Sequence, residues 1–164
     1  MIKISNQDVG KENRIIYRKL IDSISVYDFL VFESEFNNKL PDYYLDGLLS
    51  WDYSTKSEST TSIISQEIVK CDNWYELDLE LNVGNHKSTI QISDSSRLLL
   101  LNGTWKNIND VVIGDMFSCF PNRDDDRYKT VNKITKFTTN EDFLSIKTKS
   151  SEYVCNGIWL KCVD

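Results

Sequence analysis

The sequence predicts a mainly β protein, and three features of the 164-residue chain support that prediction. Apolar and polar residues alternate in several short segments, most clearly where Leu77, Leu79 and Leu81 alternate with acidic residues. Two Asn-Gly pairs stand between apolar runs, and such pairs favour tight hairpin turns because both residues tolerate positive φ. Helical spacing of apolar residues is scarce after residue 25. We therefore expect a single twisted β domain.

One short helix is expected before the β segments, within an N-terminal arm over residues 1–25. Ile16 and Leu20 lie four residues apart, and Tyr17 and Ile21 continue the same side at helical spacing. Such an amphipathic helix either packs its apolar stripe on the β body or docks on another chain. In the second case Ile16, Tyr17 and Leu20 are candidate interface residues.

The β segments follow in order over the rest of the chain. Residues 54–61 contain no apolar residue and are expected to form an exposed hairpin tip. Strands are predicted on both sides of that tip, at 26–36, 48–52, 63–69, 74–81, 89–93, 98–101, 116–120, 131–137, 143–147, 153–155 and 158–160. Their alternation gives the core candidates Leu49, Trp51, Leu77, Leu79, Ile90, Ile92, Leu98, Leu100, Trp105, Val112, Ile134, Leu144, Ile146 and Ile158.

Three turns set the register of these strands. The first joins the apolar run 98–101 to the segment that carries Trp105, and the second precedes the strand at 116–120. The third closes the last hairpin of the chain. The residues assigned to these turns are Asn102, Gly103, Gly114, Asp115, Asn156 and Gly157.

Composition limits the kinds of partner. Nineteen basic and 25 acidic residues give a formal charge of −6, which argues against nucleic acid as a partner. The sequence has no apolar run of about 18 residues, so no membrane-spanning segment is expected. The N-terminus has no signal-peptide apolar core. We expect a cytoplasmic protein, or a virion component if the chain is viral, whose partners are other protein subunits.

No metal or cofactor is predicted. The four cysteines form no Cys-x-x-Cys pair, and His86 is the single histidine. The aspartates of 124–126 do not follow the spacing of a calcium-binding loop. We expect reduced thiols, mostly buried.

The order of these motifs resembles the Hint superfamily, which contains the inteins and the hedgehog-type autoprocessing domains. The run at 99–102, then Gly103 and Trp105, then 110–113 with Gly114 and Asp115, fits a stretch typical of that family. The Asn156-Gly157 turn resembles its terminal hairpin. The resemblance implies a Hint-like β domain over residues 26–164, after the N-terminal arm.

The same resemblance implies that the family's chemistry is lost here. Hint autoprocessing uses a Cys or Ser at the start of the domain, a Thr-x-x-His element and, in splicing, a terminal His-Asn. At the first position the chain offers only Ser25, by a loose alignment. The Thr-x-x-His element falls on residues 93–96, with Ser93 for threonine and Ser96 for histidine. Lys161 and Cys162 stand in place of His-Asn. A serine hydroxyl cannot replace imidazole as a proton carrier near pH 7.

Two functions from different classes remain open. The first is a structural or interaction protein on a catalytically inactive Hint-like fold, plausibly a small component of a tailed bacteriophage particle. Its interfaces would come from the N-terminal helix, the acidic charge and the aromatic residues, the tryptophans being Trp51, Trp74, Trp105 and Trp159. The alternative is residual autoprocessing, with Ser25 or Ser96 acting in an unconventional way.

Overall fold

The computed structural model describes residues 1–4, 11–21, 24–31, 48–52, 57–119 and 127–163, with side chains for 1–4, 11–15, 61–119 and 127–163. Within these residues the chain forms two β-sheets, and every strand pair is antiparallel. The only helical element in this part of the chain is a 3-10 turn at Ile108–Asp110. The mainly β class predicted from the sequence is confirmed.

The strands are numbered in chain order. They are β1 Ile2–Lys3, β2 Arg14–Ile21, β3 Ile24–Val31, β4 Leu48–Asp52, β5 Ser57–Thr61, β6 Ile63–Cys71, β7 Trp74–Leu81, β8 Lys87–Ser93, β9 Arg97–Leu99, β10 Trp105–Asn107, β11 Met116–Ser118, β12 Tyr128–Phe137, β13 Glu141–Thr148, β14 Glu152–Cys155 and β15 Ile158–Lys161. The first sheet has seven strands in the order β11-β12-β7-β8-β1-β13-β6. The second has eight, in the order β10-β9-β15-β14-β2-β4-β5, with β3 paired to β2.

The core lies between the inner faces of the sheets. On β7 and β8, Leu77 pairs with Ile90 and Tyr75 with Ile92, and all four side chains are buried. The other core candidates that prove buried are Leu79, Leu98, Leu144, Ile146 and Ile158. Leu100, Trp105 and Ile134 are half-buried. Leu49 and Trp51 lie outside the described side chains.

One core assignment is wrong. Val112 is 56% exposed, because it precedes the Gly114-Asp115 turn on a surface loop and lies on no strand. The apolar run at 111–113 lies between the 3-10 turn and β11 and belongs to no strand. Only Val111 of that run is buried.

The predicted N-terminal helix is also wrong where the structure describes it. Residues 14–21 form β2, which pairs with β3 along its whole length and contacts β14 and β4. Candidate interface residues Ile16, Tyr17 and Leu20 therefore lie on a strand, and their side chains are outside the described ones. The division at residue 25 stays a prediction, although β1 and β2 pair with strands that follow it.

The segment expected to be an exposed tip contains a strand. Ser57–Thr61 forms β5, which pairs with β4 through all five of its residues. Backbone pairing to β4 thus organises a segment that has no apolar residue of its own. Thr61, at the end of β5, is buried.

Candidate functional site

The backbone nitrogen of Met1 is held by two serines that lie far along the chain. It donates hydrogen bonds to Oγ of Ser93 at 3.2 Å and to Oγ of Ser96 at 3.3 Å. The carbonyl oxygen of Met1 accepts a hydrogen bond from the backbone N–H of Ser93 at 3.0 Å. Ser93 and Ser96 are the residues that align with the Thr-x-x-His element, so their contact with Met1 is the candidate functional site.

Strand pairing creates this arrangement. β1 follows Met1 at once and pairs with β8, with Ile2 opposite Ile92. β8 ends at Ser93, and the chain then makes a tight turn in which the N–H of Ser96 donates to the carbonyl of Ser93 at 3.1 Å. The turn brings both hydroxyls to the same point, with the two Oγ atoms 3.2 Å apart.

Burial determines the electrostatics of this point. Ser93 and Ser96 are 0% and 2% exposed. Removal from water lowers the pKa of the Met1 amine from 8.0 to about 6, and the negative charge of Asp94 opposes that shift. An amine with this pKa is largely neutral at pH 7.

The serine side chains at this point can orient a backbone amide, but a serine hydroxyl is no proton carrier at neutral pH. The Oγ of Ser95 adds a third hydroxyl, 2.8 Å from the Oγ of Ser93. The single histidine, His86, is exposed in the turn between β7 and β8, where its carbonyl accepts the N–H of Leu81 at 2.9 Å. It is the loop histidine that its position in the sequence suggests.

The C-terminal pair makes other contacts. Lys161 ends β15, and its Nζ lies 4.8 Å from the centre of the Trp105 ring, a cation–π contact. The N–H of Cys162 donates to the carbonyl of Ser151, and the Cys162 sulfur lies 3.5 Å from Oγ1 of Thr148. Neither side chain resembles an asparagine able to cyclise.

The residue held at the Ser93–Ser96 pair differs from the one expected. Ser25 is the only candidate that the sequence offers for the start of the domain, and the structure places it on β3 opposite Leu20, with its side chain outside the described ones. Met1 occupies the pair. The sequence could not single out Met1, because every residue has a backbone nitrogen and the Met1 side chain carries no nucleophilic group.

The predicted turn residues have three different geometries. Asn156 and Gly157 both have positive φ, at 50° and 78°, and join β14 to β15 as a two-residue turn. At the other Asn-Gly pair only Gly103 has positive φ, at 86°. There the N–H of Leu100 donates to the carbonyl of Thr104 and closes a three-residue loop over 101–103, inside which the N–H of Gly103 donates to the carbonyl of Leu100.

The Gly114-Asp115 turn is closed by the aspartate. Gly114 has a φ of 95°. Oδ2 of Asp115 accepts the N–H of Val112 at 3.0 Å and pairs with Nζ of Lys106 at 2.8 Å. These contacts tie the loop before β11 to β10, so this motif has a structural role.

No metal centre can be built from the residues that the structure describes, since no three His, Cys, Asp or Glu side chains among them converge. All four cysteines are free, and Cys71, Cys119 and Cys155 are buried. Burial raises the pKa of the Cys155 thiol to about 12, so this thiol is protonated and unreactive at neutral pH. None of the helices in the described part of the chain has the length and apolarity needed to cross a membrane.

Comparison with known proteins places this geometry in a known fold. No protein-family model matches the sequence, and no curated protein matches it. Solved structures do match. A DnaB intein from Synechocystis superposes with a TM-score of 0.59 at 16% identity, over 93% of this chain and 99% of that one.

Two further structures agree. A bacterial intein-like domain from Clostridium thermocellum gives a TM-score of 0.58 at 8% identity, over 93% of this chain and 99% of that chain. An intein from a hyperthermophile gives 0.60 at 15% identity, over 93% and 97% of the two chains. The chain therefore has an intein-like, Hint-type fold, as the motifs predict. At these identities the likeness concerns the fold alone.

Proposed function

We propose that this protein is a non-catalytic interaction module that keeps an intein-like fold without its self-processing reaction. The observation that carries the proposal is the contact of the Met1 nitrogen with Ser93 and Ser96. In a Hint domain the Thr-x-x-His element contacts the scissile amide, whose nitrogen belongs to the nucleophilic residue. The residue at that place here is a methionine.

The side chain of Met1 cannot start the reaction. Attack on the preceding carbonyl requires a hydroxyl or thiol that loses its proton as the ester or thioester forms. A methionine thioether has no proton to lose. The reaction also needs a base, and Ser96 stands where the family's histidine would be. Two successive requirements thus lack their reactive group.

The last step of splicing has no group to perform it either. Cyclisation of a terminal asparagine requires a carboxamide, and Lys161-Cys162 offers an ammonium and a thiol. Meanwhile the turn at Asn156 and Gly157, a few residues earlier, keeps the geometry of the fold. Loss of reactive groups beside an intact framework favours a role for the framework itself.

The alternative, residual autoprocessing, has one observation in its favour. The carbonyl oxygen of Met1 accepts hydrogen bonds from Oγ of Ser96 at 3.5 Å and from the N–H of Ser93 at 3.0 Å, and two donors polarise a carbonyl toward attack. However, the Ser96 hydroxyl points at the oxygen and not at the carbonyl carbon, and no imidazole stands beside it to take its proton. We therefore rank this function second.

We propose that exposed apolar side chains form the surfaces that bind partners. Trp74 and Trp159 are buried and Trp105 is half-buried, so these tryptophans serve the interior more than an interface. Large exposed apolar residues are Ile64, Ile68, Val83, Leu101, Val112, Ile113 and Met116. We propose other protein subunits as the partners and, by analogy with repurposed small β domains, a tailed bacteriophage particle as the setting.

Intact-mass spectrometry tests the proposal. The purified chain is incubated for days with a strong thiol at neutral pH, beside Ser25→Ala, Ser96→Ala and Cys162→Ala variants. We expect each protein to keep its full mass. A shorter product from the parent chain that Ser25→Ala or Ser96→Ala suppresses would establish the alternative instead.

A further inference from the structure

β6 lies at the edge of the seven-stranded sheet and presents apolar side chains to solvent. It pairs with β13 on one side, and no strand among the described residues pairs with its other side. The strand has nine residues, which is long for an edge strand. Ile64 is 70% and Ile68 is 42% exposed. Long edges with exposed apolar side chains are sites where another strand adds.

Ile68 lies on the edge strand, on the face of the sheet that is buried further inside. Its partner on β13 is Leu144, and the partner of Gln66 is Ile146, both of which are buried in the main core. Residues opposite each other on antiparallel strands point to the same face. A strand added beyond β6 would therefore continue the core surface over Ile68.

Ile64 lies where the regular pairing of β6 with β13 is interrupted. The register with β13 shifts between Lys147 and Thr148, which face Ser65 and Ile63. Ile64 is the extra residue of this bulge and has no partner on β13. The bulge marks one end of the segment that a new strand can match.

We propose that β6 pairs with β6 of a second copy of this chain, antiparallel and centred on Gln66. The segment Ile64-Ser65-Gln66-Glu67-Ile68 is symmetric about its middle residue in the placing of its two isoleucines. A two-fold axis perpendicular to the sheet sets the middle residue opposite itself. It then sets Ile64 of each copy opposite Ile68 of the other, and Ser65 opposite Glu67.

Neighbouring registers are worse. Centring the axis on Glu67 would place two carboxylates directly opposite each other, which destabilises an antiparallel pair. Centring it on Ser65 would place Ile64 opposite Gln66, and centring it on Ile68 would place Ile64 opposite Asp72. Only the register centred on Gln66 matches both exposed isoleucines with isoleucine. The pattern thus fits a second copy of the same strand better than an unrelated one.

This interface is independent of whether the chain has lost its chemistry. The first test measures size by sedimentation velocity from micromolar to millimolar concentration. We expect a reversible dimer, and Ile68→Lys should raise its dissociation constant at least about tenfold because it sets a charge opposite Ile64. The matched control is Ile113→Lys, at a residue that is 67% exposed elsewhere, which should leave the dimer unchanged.

The second test reads the register directly. Gln66→Cys should cross-link to itself under mild oxidation, because the two copies of residue 66 face each other. Glu67→Cys alone should not, whereas a mixture of Ser65→Cys and Glu67→Cys chains should form the mixed disulfide. The parent chain, with its own four cysteines, gives the background.

Three results would overturn the proposal. They are a monomer throughout the concentration range, equal weakening by Ile113→Lys, and self-cross-linking of Glu67→Cys in preference to Gln66→Cys. Thermal melts of every variant establish that the fold is intact. A dimer found together with slow self-cleavage would leave this interface standing and remove the proposed function.

Discussion

The nitrogen of Met1 lies 3.3 Å from Oγ of Ser96, although 95 positions separate the two residues in the chain. The contact is partly buried, and removal of the Met1 amine from water lowers its pKa from 8.0 to about 6. The fold therefore holds a neutral amine where an unfolded chain would hold a charged one. This difference has a measurable consequence for stability.

The free energy of unfolding should rise with pH between pH 6 and pH 8. In that window the unfolded amine binds a proton and the folded amine does not, so the unfolded state loses more protons as pH rises. Below pH 6 folding must bury the charged amine, and this cost is gone above pH 8. A shift of this size corresponds to about 2–3 kcal/mol across the window. Urea unfolding at pH 5.5, 7 and 8 measures it.

The control for this experiment is the single histidine. His86 is the single imidazole of the chain and is exposed. His86→Asn should therefore preserve the rise with pH. A flat profile in both proteins would mean that the amine is solvated, contrary to the contact with Ser93 and Ser96.

Core packing gives a second prediction. Leu77→Ala should lower the free energy of unfolding by about 2–5 kcal/mol, because Leu77 is fully buried opposite Ile90 and truncation leaves a cavity. Val112→Ala should change it by less than about 0.5 kcal/mol, since that residue is exposed. Chemical denaturation of the two variants compares them directly. Similar losses at both positions would mean that the faces of these segments are misassigned.

Alternation predicted the strands well where the chain has one apolar and one polar face. The predicted strands at 63–69 and 74–81 correspond to β6 and β7, and those at 131–137 and 143–147 fall within β12 and β13. Of these segments, 74–81 shows the clearest period of two, and there local pattern and tertiary pairing agree. In 131–137 the apolar residues lie three apart, and β12 has a register shift between Val131 and Lys133. The apolar residues of 63–69 lie at the two ends of the segment, so composition and flanking turns predicted that strand more than alternation did.

The N-terminal helix failed because the spacing of Ile16 and Leu20 is compatible with two periods. Eight residues are too few to separate a helix from a strand by periodicity alone. Pairing with other strands makes this segment a strand, since β2 has partners on β3, β4 and β14. Tertiary contacts outweigh local propensity in such a segment.

The site was half predictable. The motif order located Ser93 and Ser96 from sequence, and both are buried residues whose hydroxyls contact residue 1. The residue that they hold could not be found, because β1 has only two residues and carries no pattern. Its place follows from pairing with β8 and β13.

The side chain of Asn156 provides a third prediction, because it ties the last hairpin to two other segments. Its Oδ1 accepts the N–H of Arg14 at 2.7 Å, and its Nδ2 donates to the carbonyl of Thr89 at 2.7 Å. Asn156→Ala should cost about 2–4 kcal/mol, through these lost bonds and the positive φ. The matched variant is Asn102→Ala, whose Oδ1 contacts only Thr104 nearby and which should cost less than about 1 kcal/mol.

Thermal unfolding followed by circular dichroism gives both values. Asn156→Asp adds a separate control, because aspartate keeps an acceptor for Arg14 and tolerates positive φ but loses the donor to Thr89. It should fall between the parent and Asn156→Ala. If Asn156→Ala and Asn102→Ala melt alike, the last hairpin does not depend on this anchor.

The final prediction asks whether Met1 stands where a Hint nucleophile would act. A short peptide is fused before residue 1, so that the Met1 nitrogen becomes an amide within reach of Ser93 and Ser96. The fused parent should keep its peptide in the presence of a strong thiol, since a thioether cannot accept an acyl group. Met1→Cys with Ser96→His should release it, because a thiol and an imidazole then flank that amide.

Ser25→Cys with Ser96→His is the matched control and should release nothing. Intact mass distinguishes the three proteins: release only from the Ser25→Cys protein would move the site to β3, and release from the fused parent would show that the chemistry was never lost.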